Sequence, residues 1–330
     1  MTRHRGYLLA AIAALVVLAL ASLMTGAALM GPRALISAAT GADPLGALVL
    51  YEIRLPRTLL ALIIGAGLGA AGAALQGLLR NPLAEPSILG APQTAALAAV
   101  IALYSGLTAH ARLALPLAAF LGALLALGIL LAVARRASGV TAFLLAGVAI
   151  SSIAGALMAL VLSMVKNPFA FTDISFWLMG SFEDVSSIHV ALAAPPVALG
   201  LALIFGHRSG LNALTLGEDA AASSGIDLKR LRLAIAAGVA LITGGAVAAA
   251  GAIGFVGLAA PHLVRPFVGY EPARVILPSA IAGGALLLAA DILVRLVPAT
   301  IELKIGVVTS LIGVPLFLWI VLAQKSGAEQ

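Results

Sequence analysis

Residues 58–79 read TLLALIIGAGLGAAGAALQGLL, an apolar run without a single charged side chain. A helix needs about 20 predominantly apolar residues to cross the hydrocarbon core of a bilayer, and this run has that length. Glycine and alanine crowd its middle, from Gly65 to Ala74. Small residues at spacings of three and four let helix backbones approach closely in lipid. The run therefore predicts a transmembrane helix that packs tightly against its neighbours.

The rest of the chain has the same character. Of 330 residues, 62% are hydrophobic and 10% are charged, whereas soluble domains carry about 25% charged residues. So few polar side chains would not cover the surface of a soluble fold of this size. We predict an all-α membrane protein, a single transmembrane domain over residues 1–330. Its ten predicted spans are 7–30, 58–79, 88–106, 113–134, 140–165, 188–206, 233–252, 254–268, 275–297 and 305–323.

The first span follows Arg3 and Arg5 and in that respect resembles a signal peptide. However, the uncharged run from Gly6 to Pro32 is much longer than the apolar core of about 7–15 residues in such a peptide. We therefore expect a retained helix.

The basic residues lie in short loops between apolar runs, which is typical of topology signals rather than of nucleic-acid binding. With the N-terminus inside and ten spans, twelve of the 19 lysines and arginines fall on the inner side. This excess predicts a multi-pass inner-membrane protein with both termini cytoplasmic. The seven basic residues on the outer side are Arg33, Arg54, Arg57, Arg112, Lys166, Arg295 and Lys304.

Motifs for nucleotide or metal chemistry are absent from the sequence. No lysine follows a glycine, so the phosphate-binding loop G-x-x-x-x-G-K-[ST] is missing, and so is the zinc motif H-E-x-x-H. The chain has no cysteine, and its five histidines are scattered. We therefore expect neither an enzyme nor a metal site, and no cofactor bound by this chain.

Asp291 is the acidic residue expected at membrane depth. Arg295 lies four residues later, and an ion pair within one helix is the simplest interpretation. Proton- or sodium-coupled carriers usually need more ionisable groups inside the membrane. The sequence therefore leaves two alternatives open, a permease driven by a separate ATPase or a carrier that works without ATP.

Three stretches carry a family resemblance. The first begins with Arg54-Leu55-Pro56-Arg57 and continues in residues 76–90, QGLLRNPLAEPSILG; the second is residues 254–265, GFVGLAAPHLVR; and the third is residues 214–226, LTLGEDAAASSGI. Here the sequence resembles the permeases of iron-siderophore, haem and vitamin-B12 ABC importers, from about residue 50 to residue 322.

The resemblance implies ten transmembrane helices per subunit and a homodimer around a central path. It also implies two cytoplasmic ATPase subunits, which hold ATP and magnesium, and a periplasmic binding protein that delivers the substrate. By the same resemblance, residues 211–230 form the segment that couples to the ATPase. The coupling residues it implies are Leu216, Gly217, Glu218, Ala221 and Gly225.

Arg54, Arg57 and Arg295 match positions at which family members present arginines to glutamates of the binding protein. For Arg295, pairing with Asp291 stays open as the alternative. From polarity and helix position, we expect the translocation path to include Gln76, Ser151, Ser152 and Met158.

The substrate is expected to be large and amphipathic. The segment Ile174–Phe182, ISFWLMGSF, recurs in haem and siderophore members of the resembling family. We expect haem rather than a ferric siderophore, and either of them rather than cobalamin, with a vitamin-B12 importer kept as the alternative.

Overall fold

The computed structural model describes residues 2–26, 29–111, 113–136, 140–297 and 303–315. Over these residues the chain is helical, with no strand. The helices are α1 (Thr2–Met24), α2 (Pro32–Ala39), α3 (Pro44–Leu48), α4 (Leu55–Leu79), α5 (Ala91–Tyr104), α6 (Leu107–His110), α7 (Ala114–Arg136), α8 (Val140–Met164), α9 (Pro168–Leu178), α10 (Ser187–Gly206), α11 (Arg208–Ala213), α12 (Glu218–Ser223), α13 (Leu228–Ala250), α14 (Val256–Val268), α15 (Pro272–Leu296) and α16 (Ile305–Pro315). A π-helical segment, Val49–Arg54, leads into α4, and 3₁₀ turns occupy Pro86–Leu89 and Leu214–Leu216.

The predicted all-α membrane architecture is confirmed. Each of the ten predicted spans coincides with a helix, and seven helices of the described chain are long and apolar enough to cross a membrane. Helices α5 and α14 are shorter, and α16 is described only as far as Pro315. Arg112, Lys325 and the second half of the tenth span lie outside the described residues.

The sequence analysis missed the short helices α2, α3, α6, α9 and α11. They are too brief to produce a hydrophobic period, and they begin at local signals instead. The Asp43 side chain accepts a hydrogen bond from the Gly46 N–H at the start of α3, and Asn167 caps α9 through the Phe169 N–H. Both helices have proline in the first turn, where a missing N–H costs nothing.

Helices α4 and α13 form the centre of the bundle. In the span that contains α4, and in α13, 78% of the apolar window is buried, against 6% for α1 and 17% for α8. Helix α4 packs along α15, and α13 packs along α10 and α7. Helices α1 and α8 therefore leave long apolar faces for lipid or for another protein.

The bundle has two distinct ends. The C-terminus of α4 lies with α11 and the start of α15, and α12 contacts α11 and the start of α13. We call this the α12 end. The start of α4 lies with the C-termini of α1 and α15 and with α3, and we call this the α3 end.

The glycines of α4 permit direct contact between backbones. A Cβ on Gly65 would overlap the carbonyl oxygen of Gly283, and a Cβ on Gly69 would overlap that of Ser279, both on α15. Gly65 and Gly69 form a G-x-x-x-G pair, the spacing that brings membrane helices closest together. A Cβ on Gly72 would likewise overlap the Gly257 carbonyl oxygen of α14.

Replacing Gly69 by alanine is expected to lower the melting temperature of the detergent-purified chain. The new Cβ meets a backbone carbonyl, which cannot rotate away, and overpacking of this kind costs about 1–3 kcal/mol. Gly128→Ala on α7 is the matched control, because nothing lies within 4 Å of its Cβ. Equal melting temperatures for the two variants would contradict the backbone contact.

Candidate functional site

A buried ion cluster lies at the α3 end. The Asp291 carboxylate is fully buried, and its Oδ1 accepts from Nε and Nη2 of Arg57, both at 2.8 Å. Its Oδ2 lies 2.6 Å from Nη2 of Arg295. The pair of Asp291 and Arg295 predicted within α15 is therefore present, and Arg57 joins it from α4.

Arginines also satisfy the C-terminus of α1. The last carbonyls of a helix have no intrahelical donor and carry partial negative charge. Arg295 Nη1 donates to the carbonyl oxygens of Ser22 at 2.9 Å and Thr25 at 2.7 Å. Arg54 Nη1 donates to those of Leu23 and Met24 at 2.9 and 3.0 Å. The cluster thus attaches an otherwise exposed helix to the core.

The three arginines that are predicted to dock a binding protein all make contacts inside the subunit. Arg54 and Arg57 are buried, and Arg295 has 6% of its side chain exposed. In this conformation their guanidinium groups are engaged inside the subunit. A contact with a partner glutamate therefore requires a local rearrangement, and docking through them stays a prediction. Arg33 at the same end is exposed.

The predicted coupling segment contains a short helix between two glycines. Helix α12 follows Gly217, which has a φ of 106°, and ends before Gly225, which has a φ of 84°. Both values lie in the region that favours glycine. Ala221 is fully buried, whereas Leu216 is 78% exposed just before the helix. Segment 214–225 therefore exposes the apolar side chain of Leu216, while Ala221 attaches the short helix to the rest of the protein.

An ion pair connects α12 to the centre of the bundle. Glu218 Oε2 lies 2.6 Å from Arg232 Nη2, in the first turns of α13. The Asp227 side chain caps α13 by accepting from the Arg230 N–H. Helix α13 in turn packs on α4, α7 and α10, so this ion pair lies between α12 and a helix of the buried centre.

The first two motif stretches meet around Gln76. Pro261 has no N–H, so the Gly257 carbonyl, four residues earlier in α14, has no intrahelical donor. Gln76 Nε2 makes a long contact of 3.5 Å to this oxygen and donates to the Ala84 carbonyl at 3.3 Å. Gln76 Oε1 in turn accepts from Arg265 Nη2 at 2.5 Å. One amide side chain therefore joins α4, the loop after it, and α14.

Glu85 forms a second link, which the sequence analysis missed. Its Oε1 accepts from the backbone N–H of Phe255 at 3.0 Å, at the start of α14. Phe255 has a φ of 66°, an unusual value for a non-glycine residue. Glu85 also lines a small cavity of about 140 Å³ with Gln93 and Thr243. The sequence feature that could have identified Glu85 is its position as an acidic residue between two prolines in an otherwise uncharged stretch.

The residues predicted for the translocation path have different surroundings. Gln76 is buried among α4, residues 81–86 and α14. Ser151 and Met158 are half-buried on α8, where Ser152 is exposed and donates to the Val148 carbonyl. The path assignment stays a prediction. Its α8 members lie on a helix that is mostly uncovered in the single chain.

No group of three or more potential metal ligands occurs in the described part of the chain. His262, next to Pro261, is buried, and its Nδ1 lies 2.9 Å from the Leu258 carbonyl oxygen of its own helix. This contact fits a structural histidine.

Comparisons with known proteins agree with this arrangement. The sequence model of the FecCD transport family matches residues 14–323. The vitamin B12 import system permease BtuC of Vibrio cholerae is 38% identical over 82% of both chains. BtuC of Escherichia coli O127:H6 is 39% identical over 86% of both. An ABC transporter permease of Bacillus subtilis, YvrB, whose function is uncharacterised, is 37% identical over 87% of this chain and 82% of its own.

The fold has a solved counterpart as well. An inward-facing ABC transporter ascribed to the metal-chelate type superimposes with a TM-score of 0.87 and 29% identity, over 97% of this chain and 99% of its own. The family match and the relatives' identities lead to one conclusion: the chain belongs to the FecCD transport family and is the permease subunit of an ABC importer, a transport protein without a catalytic role.

Proposed function

We propose that this permease imports cobalamin or a closely similar metal chelate across the bacterial inner membrane. The observation that carries the proposal is the 38–39% identity to vitamin B12 permeases over more than four-fifths of both chains. The preference for haem expected from residues 174–182 finds no support among these relatives. A chelator already holds the cargo metal, so the permease needs no metal ligand of its own.

Two copies of the chain are proposed to form the path between them. On α8, Ser152 is exposed and Gly155 is half-buried, and these residues suit a helix–helix contact or a polar path better than lipid. Ser151 and Met158 lie on the same helix. The ATP-independent carrier that the sequence left open has no support, because the named relatives are permeases of import and ABC systems.

The proposed orientation places the α12 end and both termini in the cytoplasm, with all ten helices crossing the membrane. Two ATPase subunits bind at α12 and its exposed neighbour Leu216. ATP binding and hydrolysis there move α12, and the ion pair between Glu218 and Arg232 transmits the movement to α13. The path then opens inward.

The loaded binding protein docks at the α3 end in this proposal. Within the cluster, Arg54, Arg57 and Arg295 carry three positive charges against the single negative charge of Asp291, while Asp43 and the exposed Glu52 lie at the same end. The excess of arginine in the cluster is proposed to attract acidic side chains and to speed encounter.

The substrate is tested with the chain reconstituted with its ATPase in proteoliposomes. Cobalamin-loaded binding protein is expected to stimulate vanadate-sensitive ATP hydrolysis and uptake, because productive docking depends on the loaded state. Stimulation by a haem- or siderophore-loaded binding protein, with none by the cobalamin form, would overturn the cobalamin proposal. Uptake without any ATPase would contradict the importer mechanism.

Breaking the link between α12 and α13 is expected to uncouple transport. Arg232→Glu places two like charges together and should lower uptake about fivefold or more, within the usual range of coupling energies. The double variant Glu218→Arg/Arg232→Glu restores the pair and should recover uptake.

The control for this experiment is Arg274→Glu, which disrupts the more exposed pair with Glu271 at the same end. Equal losses for Arg232→Glu and Arg274→Glu, or no rescue by the charge swap, would exclude a specific coupling role.

Arg57→Gln separates a structural role from a docking role. Losing its bonds to Asp291 should lower the melting temperature, since a buried hydrogen bond to a charged group contributes about 2 kcal/mol. Docking through Arg57 also predicts a weaker complex with the binding protein at low salt. Arg33→Gln removes an exposed charge from the same end and is the control. An unchanged affinity for Arg57→Gln would exclude docking through this residue.

A further inference from the structure

A cavity of about 390 Å³ opens at the α12 end, between the end of α4, the 3₁₀ turn before α12, and the start of α15. Its polar lining comes from Gln76, Arg80, Thr215, Arg265 and Tyr270. Two of these five side chains are guanidinium groups, and none is acidic. The cavity therefore has a positive lining.

Most of the carboxylates at this end are engaged with other partners, and Asp219 on α12 is exposed. Glu271 bonds to Asn212 Nδ2 at 2.6 Å and to Arg274 Nε at 2.7 Å. Glu218 pairs with Arg232, and Asp227 caps α13. Among the described residues, Arg80 has no ion pair, and the side chain of Arg265 bonds to the neutral Gln76.

Helix ends do not cancel this charge. The C-termini of α4 and α14 each contribute about half a negative charge, and the start of α15 contributes about half a positive charge. Against these partial charges stand two full positive charges. The first-turn N–H of Ala273 is already bonded to Asn212 Oδ1, and the charged donors among the lining residues are the two guanidinium groups.

The backbone holds Arg80 in place. Arg80 ends α4 with a φ of 49°, one of two positive-φ non-glycine residues in the described chain. The Arg80 and Asn81 N–H groups bond back to the carbonyls of Gly77 and Gln76. A strained conformation of this kind persists where the surrounding structure fixes it.

Exposed apolar and aromatic side chains occur close to the lining residues in the sequence. Tyr270 lines the cavity and is 72% exposed, Leu83 follows the lining residue Pro82 and is 50% exposed, and Phe267 lies two residues after Arg265 and is 63% exposed. The Phe267 ring stacks on Tyr7 of the exposed helix α1, with ring centroids 4.9 Å apart. Aromatic side chains of this kind concentrate where the membrane meets water.

From this combination we propose that the cavity binds a phosphate group, held by Arg80 and Arg265, and that its source is the headgroup of an anionic phospholipid. This inference rests on the orientation proposed above, which makes the α12 end cytoplasmic, because basic pockets between membrane helices on that side suit such headgroups. Planar guanidinium groups match phosphate oxygens in a bidentate manner. The exposed side chains of Leu83, Phe267 and Tyr270 offer apolar surface to acyl chains, which a free phosphate ion lacks. The site does not depend on which substrate the permease carries.

Native mass spectrometry of the detergent-purified full chain tests the site. Dioleoyl phosphatidylglycerol is expected to be retained in preference to dioleoyl phosphatidylcholine, whose choline offsets the phosphate charge. Arg80→Gln should weaken phosphatidylglycerol binding about fivefold, the usual contribution of one basic residue. Arg80→Lys should recover part of the loss. Arg274→Gln, an exposed arginine at the same end, is the control and should bind as the wild type does.

A second arm adds inorganic phosphate to distinguish the sources. Displacement of the bound lipid by phosphate in the wild type supports recognition of the phosphate group itself. Phosphate binding that depends on Arg80, without lipid retention, assigns the site to the free ion instead of a lipid.

Three results would overturn the proposal. The first is the absence of any preference for phosphatidylglycerol together with the absence of phosphate binding. The second is an equal loss for Arg80→Gln and Arg274→Gln, which would indicate diffuse charge. The third is a loss of ATPase binding in Arg80→Gln with lipid and phosphate binding unchanged, which would assign the cavity to a carboxylate of the partner.

Discussion

The arrangement of this bundle depends on one backbone carbonyl, that of Gly257. Pro261 leaves it without its intrahelical donor, and an unsatisfied buried carbonyl costs about 1–3 kcal/mol. Gly72 allows the α4 backbone to lie directly against this oxygen, and Gln76, one turn later, directs its amide toward it. Arg265 fixes the orientation of that amide. Two motifs distant in sequence therefore satisfy a single structural requirement.

At the α3 end, backbone carbonyls without intrahelical donors are satisfied by charged side chains. The carbonyls that end α1 face Arg54 and Arg295, and the positive charge collected there is partly balanced by Asp291. Removing one partner of a buried pair is more damaging than the net contribution of the pair would suggest, because the remaining charge stays desolvated. The same arginines thus maintain the fold and supply the positive field of that end.

The positions of the long helices were predictable from the sequence, because a membrane-spanning helix is recognised from a local run of about 20 apolar residues. Sequence reasoning also found the pair of Asp291 and Arg295, which lie one helical turn apart. It did not find that Arg57, 234 residues away, completes this cluster, since no local pattern encodes such a contact. Glu85 was missed for the same reason, because its partner is the Phe255 N–H. The haem preference rested on a short apolar segment, and such segments carry little chemical information.

The bonds around Gln76 and Glu85 have a mechanical consequence. Residues 76–90 and 254–265 are joined by the contacts of Gln76 with the Gly257 carbonyl and Arg265, by the bond from the Phe255 N–H to Glu85, and by packing of Pro86 on Gly257. Separating the two stretches requires breaking all of these contacts together. By contrast, Gly217 and Gly225 have open space around their Cα atoms. The backbone at both ends of α12 therefore has room to change direction, whereas the two motif stretches are held to each other by side chains.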